Sequence, residues 1–197
     1  MKLLALRCPK CDFALAPGQE DRVMQCPNCR VAVAIEEDGL ELMAAQYAAS
    51  KDPLSSSWLT WLPFWVYRGK VTIKERKTQG GRSAEKEAAE FWEQPRRVYI
   101  PAWSVDLSEA RDLVGTLLEK QPFLEAIIPP EGTAFEPAIL SPEDGRKLLE
   151  VVIVTLEAER RDWMETLDFD LRLDSKALWL LPARRNGAEW QLLLAKI

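Results

Sequence analysis

The sequence predicts an α+β protein in two parts: a small all-β module at the N-terminus, and a larger body with antiparallel strands and one long amphipathic helix. Three observations carry this. All four cysteines fall between residues 8 and 29, apolar and polar residues alternate in several later segments, and a capped apolar stripe begins at Ser141. The 197 residues suffice for one ordinary domain with a sizeable core plus a small appended module. The expected division is residues 1–36 for the module, 37–57 for a linker or short helix, and 58–197 for the α+β domain.

Cys8-Pro9-Lys10-Cys11 and Cys26-Pro27-Asn28-Cys29 are two C-P-x-C units separated by fourteen residues. The two-residue gap lets both sulfurs of a unit turn onto one ion, and the proline presets the backbone. Four thiolates around a tetrahedral ion leave no position for water or substrate, so such a site is structural. Phe13 and Leu15 suggest one strand, residues 16–19 a turn, and Val23-Met24-Gln25 a returning strand. Val31, Val33 and Ile35 alternate with small residues as in a third strand.

In these features the segment from about residue 6 to residue 36 resembles the zinc-ribbon family, with a gap between pairs one short of the usual fifteen to twenty residues. Rubredoxins also carry C-P-x-C knuckles, but their pairs lie farther apart and are flanked by aromatics that are missing here. The expected metal ligands are Cys8, Cys11, Cys26 and Cys29, and the expected cofactor is a structural zinc ion, with iron or a redox dithiol as the alternatives. So small a ribbon buries too little apolar surface to fold alone, so metal binding would supply its folding free energy. Residues 1–35 hold five basic and three acidic side chains, and a zinc tetrathiolate adds about −2, a sum near zero. Protein contact or support of its own chain is therefore the expected role of the ribbon.

Leu40, Met43, Ala44 and Tyr47 recur at helical spacing, which predicts a short helix over 40–50 before the boundary at Asp52-Pro53. Tyr67, Gly69, Val71 and Ile73 alternate with Arg68, Lys70, Thr72 and Lys74 as in a half-buried strand, and Gln79-Gly80-Gly81-Arg82 reads as a turn. Residues 83–93 suit either helix or strand, and residues 98–103 read as the end of an apolar strand. Ser108 is a candidate cap for a helix running to about Lys120. Ser141-Pro142-Glu143-Asp144 is a stronger start, with a cap, a proline in the first turn and acids at the positive helix end. Leu149, Val152, Ile153, Leu156, Trp163, Met164 and Leu167 form its expected stripe, with Glu143–Lys147 and Glu157–Arg161 pairs on the outer face. Phe169 to Leu173, Ala177 to Arg185 and Ala188 to Ile197, with a turn at Asn186-Gly187, predict a three-strand meander.

Leu62-Pro63-Phe64-Trp65, Ile100-Pro101-Ala102-Trp103 and Leu181-Pro182-Ala183 are similar phrases. Proline cannot donate to a ladder, so each belongs at an edge, a bulge or a strand end. With the ribbon, these phrases resemble a group of poorly characterised bacterial zinc-ribbon proteins, some named by analogy with primosomal helicases. Only the four ligand positions carry over. No G-x-x-x-x-G-K-[S/T] loop is present to cradle ATP phosphates, so the chain is not itself a helicase.

A net charge of −5 argues against a general nucleic-acid coat. Histidine is absent and no cysteine follows Cys29, which removes the commonest catalytic bases and nucleophiles from the body. No apolar run reaches the ~20 residues of a membrane span, and the N-terminal apolar stretch is too short for a secretory signal. The expectation is a cytoplasmic, non-enzymatic adaptor or assembly subunit that binds a protein partner. The alternative is nucleic-acid binding through segment 61–82, where Arg68, Lys70, Lys74, Arg76, Lys77 and Arg82 accompany Trp61 and Trp65. Asp162, Glu165, Asp168 and Asp170 are the candidates for a carboxylate enzyme, though their alternation suits a solvated surface.

Overall fold

The computed structural model describes residues 6–52, 58–79, 83–129, 131, 133–160 and 163–195. The N-terminal module is a three-stranded antiparallel sheet of β1 (Val23–Gln25), β2 (Ala32–Glu36) and β3 (Gly39–Met43). The expected strand at Phe13 and Leu15 is reduced to a single bridge between Arg7 and Ala14. The predicted helix over 40–50 does not form. A two-residue turn at Glu37-Asp38 returns the chain as β3, which pairs with β2 from Glu36↔Gly39 to Ala32↔Met43. Then β4 (Ala45–Ala48) leaves the module and joins the sheet of the body. The helical spacing of Leu40, Met43 and Tyr47 is thus incidental: backbone partners in β2 and in the body outweigh a weak local propensity.

The body is built on β5 (Thr60–Gln79), followed by α1 (Ser83–Trp92), β6 (Arg96–Pro101), α2 (Leu107–Lys120), β7 (Ala126–Ile127) and α3 (Pro142–Ala158). β8 (Trp163–Asn186) and β9 (Glu189–Leu192) complete it. The sheet order is β6-β5-β8-β4-β7, with β9 against β8, and only the β4–β8 pair is parallel. The fold is α+β, as the sequence predicts.

Two predicted elements change shape. The long helix stops at Ala158, and Trp163, Met164 and Leu167 belong to β8, paired with β5 from Gln79↔Trp163 onward. The predicted meander is one continuous strand plus a hairpin, because residues 163–183 pair along β5 except Glu165 and Asp174 at register shifts; the turn into β9 is Gly187-Ala188, one residue beyond the predicted Asn186-Gly187, with Asn186 paired to Glu189 and Gly187 at φ 65°. The ambiguous segment at 83 is a helix. Asp106, rather than Ser108, caps α2, its carboxylate accepting from the Ser108 N–H at 2.8 Å. Ser141 caps α3 as expected.

Alternation along β5 sorts its side chains to two cores. Trp61, Trp65, Tyr67 and Val71 join Leu178, Leu180, Leu149, Ile153 and Trp92 on one side. Leu62, Phe64 and Val66 join Tyr99, Trp103, Leu117, Leu181 and Leu194 on the other. Trp65 and Trp103 therefore lie in separate cores and share no surface. The prolines of the repeated phrase sit where a neighbouring strand gives out. Pro101 ends β6; the Pro63 carbonyl accepts from the Ala102 N–H, just past that end, and the Pro182 carbonyl accepts from the Leu193 N–H, just past β9. A residue's N–H and C=O face the same side of an antiparallel strand, so each missing N–H falls where the regular ladder has stopped.

The module is seated on this body. Ala32 and Ala34 of β2 and Val23 of β1 belong to the same core as Trp61 and Tyr47. β1 bridges to Ala138: the Val23 N–H donates to the Ala138 carbonyl at 3.0 Å, and the Ala138 N–H returns to the Val23 carbonyl at 2.8 Å.

Candidate metal centre

Each C-P-x-C unit folds as a tight knuckle, and the two repeat the same bonds. In the first, the Cys8 N–H donates to the Phe13 carbonyl and the Asp12 N–H to the Cys8 carbonyl, both at 2.9 Å. In the second, the Cys26 N–H donates to the Val31 carbonyl and the Arg30 N–H to the Cys26 carbonyl, again at 2.9 Å. The residue after the second cysteine is left-handed in both, Asp12 at φ 58° and Arg30 at φ 61°. This strained position for a side-chain-bearing residue turns each pair of thiols inward. Arg7 braces the first knuckle by donating to the Asp12 carbonyl and to its carboxylate at 2.9 and 3.0 Å.

The two knuckles bring all four sulfurs within 4.8 Å of one another. Cys8 and Cys29 Sγ are 3.6 Å apart, as are Cys11 and Cys26 Sγ. A disulfide needs about 2.05 Å, so none of these is bonded. A tetrahedron of thiolates about 2.3 Å from a central ion has edges of about 3.8 Å, so the sulfur cluster fits a four-coordinate metal site. Cys8 and Cys26 are buried and Cys11 and Cys29 half-buried, over a floor of Leu15 and Val33 edged by Met24, Val31 and Leu40. β2 thus has two faces with two tasks: Val33 lies under the sulfurs, while Ala32 and Ala34 pack on the body.

The electrostatics favour a cation. A hydrogen bond from the Asn28 side chain, then one from the Phe13 backbone, holds the Cys11 thiol down at about 6. Desolvation pushes Cys29 up to about 12, against a backbone hydrogen bond from Val31. Burial and hydrogen bonding thus act in opposite directions on two neighbouring thiols. A divalent cation removes that conflict, because its charge offsets the mutual repulsion of neighbouring thiolates.

The basic and aromatic residues expected at an interface are not assembled into one. Trp61 and Trp65 are each 2% exposed and belong to the core, so neither ring can stack on a base. Arg76 is also buried: its Nε lies 3.1 Å from the Glu157 carboxylate. Lys74 pairs with Asp170 at 2.7 Å, a bond that raises its pKa, and Lys77 pairs with Glu75 at 3.0 Å. Arg68 and Lys70 are exposed, with Ser175 and Arg172 opposite them on β8 and Asp170 opposite the next exposed position, Thr72. Arg82 and the Gly80-Gly81 turn lie outside the described residues. Among the carboxylates, Glu165 accepts from the Gln79 side chain at 2.6 Å and Asp170 is paired with Lys74, while Asp162 lies outside the described residues. Neither Glu165, Asp168 nor Asp170 lines any of three well-formed grooves of about 620, 410 and 630 Å³.

Glu157, expected to pair with Arg161 on the outer face of α3, is fully buried, and Arg161 lies outside the described residues. The Glu157 carboxylate accepts from Arg76, from the Trp92 Nε1 at 2.8 Å, and from Arg160 at 2.7 and 2.9 Å. The available signal was that Glu157 follows Leu149, Ile153 and Leu156 on the inward arc of the helix. Among the described residues, no helix is long and apolar enough to cross a membrane. No family model, curated protein or solved structure matches the chain.

Proposed function

We propose that the chain is a non-enzymatic zinc-stabilised adaptor or assembly subunit of the cytoplasm that acts through protein contacts. The observation that carries this reading is the convergence of four cysteine sulfurs, with no fifth donor among them, on a site that a tetrahedral ion would fill. Zinc is the ion that thiolate donors and tetrahedral four-coordination favour. When bound it supplies charge neutralisation and cross-linking of the two knuckles rather than a reactive position. The four cysteines hold the ion, Asn28 biases Cys11 toward the thiolate, and Val33 and Leu15 exclude water from below.

A protein-contact role is also favoured by what the body lacks. It has no histidine and no further cysteine, and of its clustered acids the described ones, Glu165, Asp168 and Asp170, are exposed, Glu165 accepting from Gln79 and Asp170 paired with Lys74. The nucleic-acid alternative has less support, since the two tryptophans and Arg76 that motivated it are in the core. Two measurements discriminate. Affinity capture of the full chain followed by rebinding of purified components should yield a stoichiometric protein complex, unaltered by nuclease. Binding of single- or double-stranded oligonucleotides that weakens steeply between 50 and 200 mM salt would overturn the reading in favour of the alternative.

A further inference from the structure

Residues 133–140 lie between the metal module and the body and are bonded to both. Toward the module, the Thr133 carbonyl accepts from the Gln25 side chain at 2.9 Å, and Ala138 forms its two-bond bridge with Val23. Toward the body, Phe135 bridges in parallel to Trp61, the Glu136 N–H donates to the Trp61 carbonyl at 3.0 Å, and the Ile139 N–H donates to the Ala102 carbonyl at 2.6 Å. The Trp65 indole then donates to the Leu140 carbonyl at 2.9 Å, and the next residue, Ser141, caps α3. The segment is a strap that ties the module, the start of β5 and the start of α3 together.

Gln25 is the pivot. It is the last residue of β1 and immediately precedes the ligand Cys26. Its amide nitrogen also faces the Tyr47 hydroxyl at 3.2 Å and the Arg30 carbonyl at 3.4 Å, so one side chain touches the second knuckle, the strap and the body. The ligands thus reach the strap through one peptide bond, not through a chain of intermediate side chains.

We propose that the metal centre is a lock on this strap: with metal bound, β1 is held in the register that secures residues 133–140, and with metal lost the strap detaches and uncovers Trp61 and Phe135. This rests on the zinc reading above. The reason is local. Without the ion, the knuckles lose the cross-link that offsets the left-handed backbone at Asp12 and Arg30. β1 is only three residues long, and it carries both the three-pair ladder to β2 and the bridge to Ala138, so a shift of the second knuckle reaches the strap directly. The central part of the β5–β8 pair, buried on both faces, does not depend on the module for its ladder. By linkage the effect runs both ways, so weakening the strap's hold on β1 must weaken metal binding without touching a ligand.

The test uses the full chain, loaded with zinc or stripped with a chelator, in native-state hydrogen exchange. The amides of Glu136, Ala138 and Ile139 should lose about a hundredfold in protection on metal removal, while those of Leu178 to Leu181 change less than threefold. Retained strap protection, with loss confined to the amides of Cys8, Asp12, Cys26 and Arg30, overturns the proposal. Equal loss in strap and β5–β8 also overturns it, since the metal would then govern global folding. The reciprocal arm is Gln25→Ala, which should bind zinc about tenfold more weakly in competition with a chromophoric chelator at unchanged stoichiometry. Unchanged affinity contradicts the coupling. A wild-type chain that takes up no zinc would instead refute the zinc reading, so the two failures are distinguishable.

Discussion

Arg76 and Glu157 form an ion pair whose side chains are both 0% exposed, which makes its removal the sharpest probe of the body. Replacing Glu157 with leucine takes the carboxylate from the Arg76 guanidinium, which keeps its hydrogen bond to the residue 157 backbone carbonyl at 3.0 Å, and deprives the Trp92 indole of the acceptor 2.8 Å away. Breaking one side of a buried pair costs about 3–5 kcal/mol, whereas replacing both sides by apolar residues of similar volume is often neutral. Glu157→Leu should therefore destabilise by about 3–5 kcal/mol, and Arg76→Met by a somewhat smaller amount because Arg160 still holds the carboxylate. The double variant should lose much less stability than the sum of the two single losses. For a chain of this size each kcal/mol moves the midpoint by about 2–4 °C, so Glu157→Leu should melt roughly 6–20 °C early. Urea unfolding of the four proteins, followed by tryptophan fluorescence, measures the cycle. A single-variant cost under about 1 kcal/mol, or strict additivity in the double variant, would refute the reasoning.

Gly145→Ala tests packing against propensity. Alanine alone would stabilise the helix by about 1 kcal/mol, but its Cβ would lie 2.6 Å from the Tyr67 hydroxyl and 3.2 Å from Trp65, so thermal melting should show a net loss of about 1–3 kcal/mol; a raised midpoint contradicts the close approach. Asp106→Asn tests the cap of α2. Hydrogen bonds from Ser108 hold the Asp106 carboxyl below its ordinary 3.8, so its charge-dependent stabilisation is complete above that value and disappears as pH falls through the lowered folded value. The stability difference between wild type and variant should accordingly vanish at low pH, and a difference that does not vary with pH would be evidence against it.

The metal site was legible because its chemistry is local. Two C-P-x-C units fix a donor set whatever surrounds them, and the same locality made the Ser141 cap readable and put the last hairpin turn within one residue of its place at Gly187-Ala188. The misread elements depend on distant partners. Residues 39–48 have a helical apolar spacing but find strands at β2 and β8, the latter more than 120 residues away. β8 was divided because Leu178 to Leu181 are buried on both faces and lose the alternation that marks residues 167–174. Glu157 resembled a surface acid because its partner Arg76 is 81 residues distant. Trp61 and Trp65 resembled an interface because aromatic residues beside arginine and lysine suit both a groove and a two-sided core; the second sheet face decides between these.

The central claim is a closed site in which one zinc ion takes all four cysteines. X-ray absorption at the zinc edge, on chain quantified for metal content, tests it most directly. One zinc per chain is expected, with four sulfur neighbours at about 2.3 Å and no nitrogen or oxygen neighbour. A shell with fewer sulfurs and a light-atom ligand, or a chain that excludes zinc and carries disulfides instead, would contradict it.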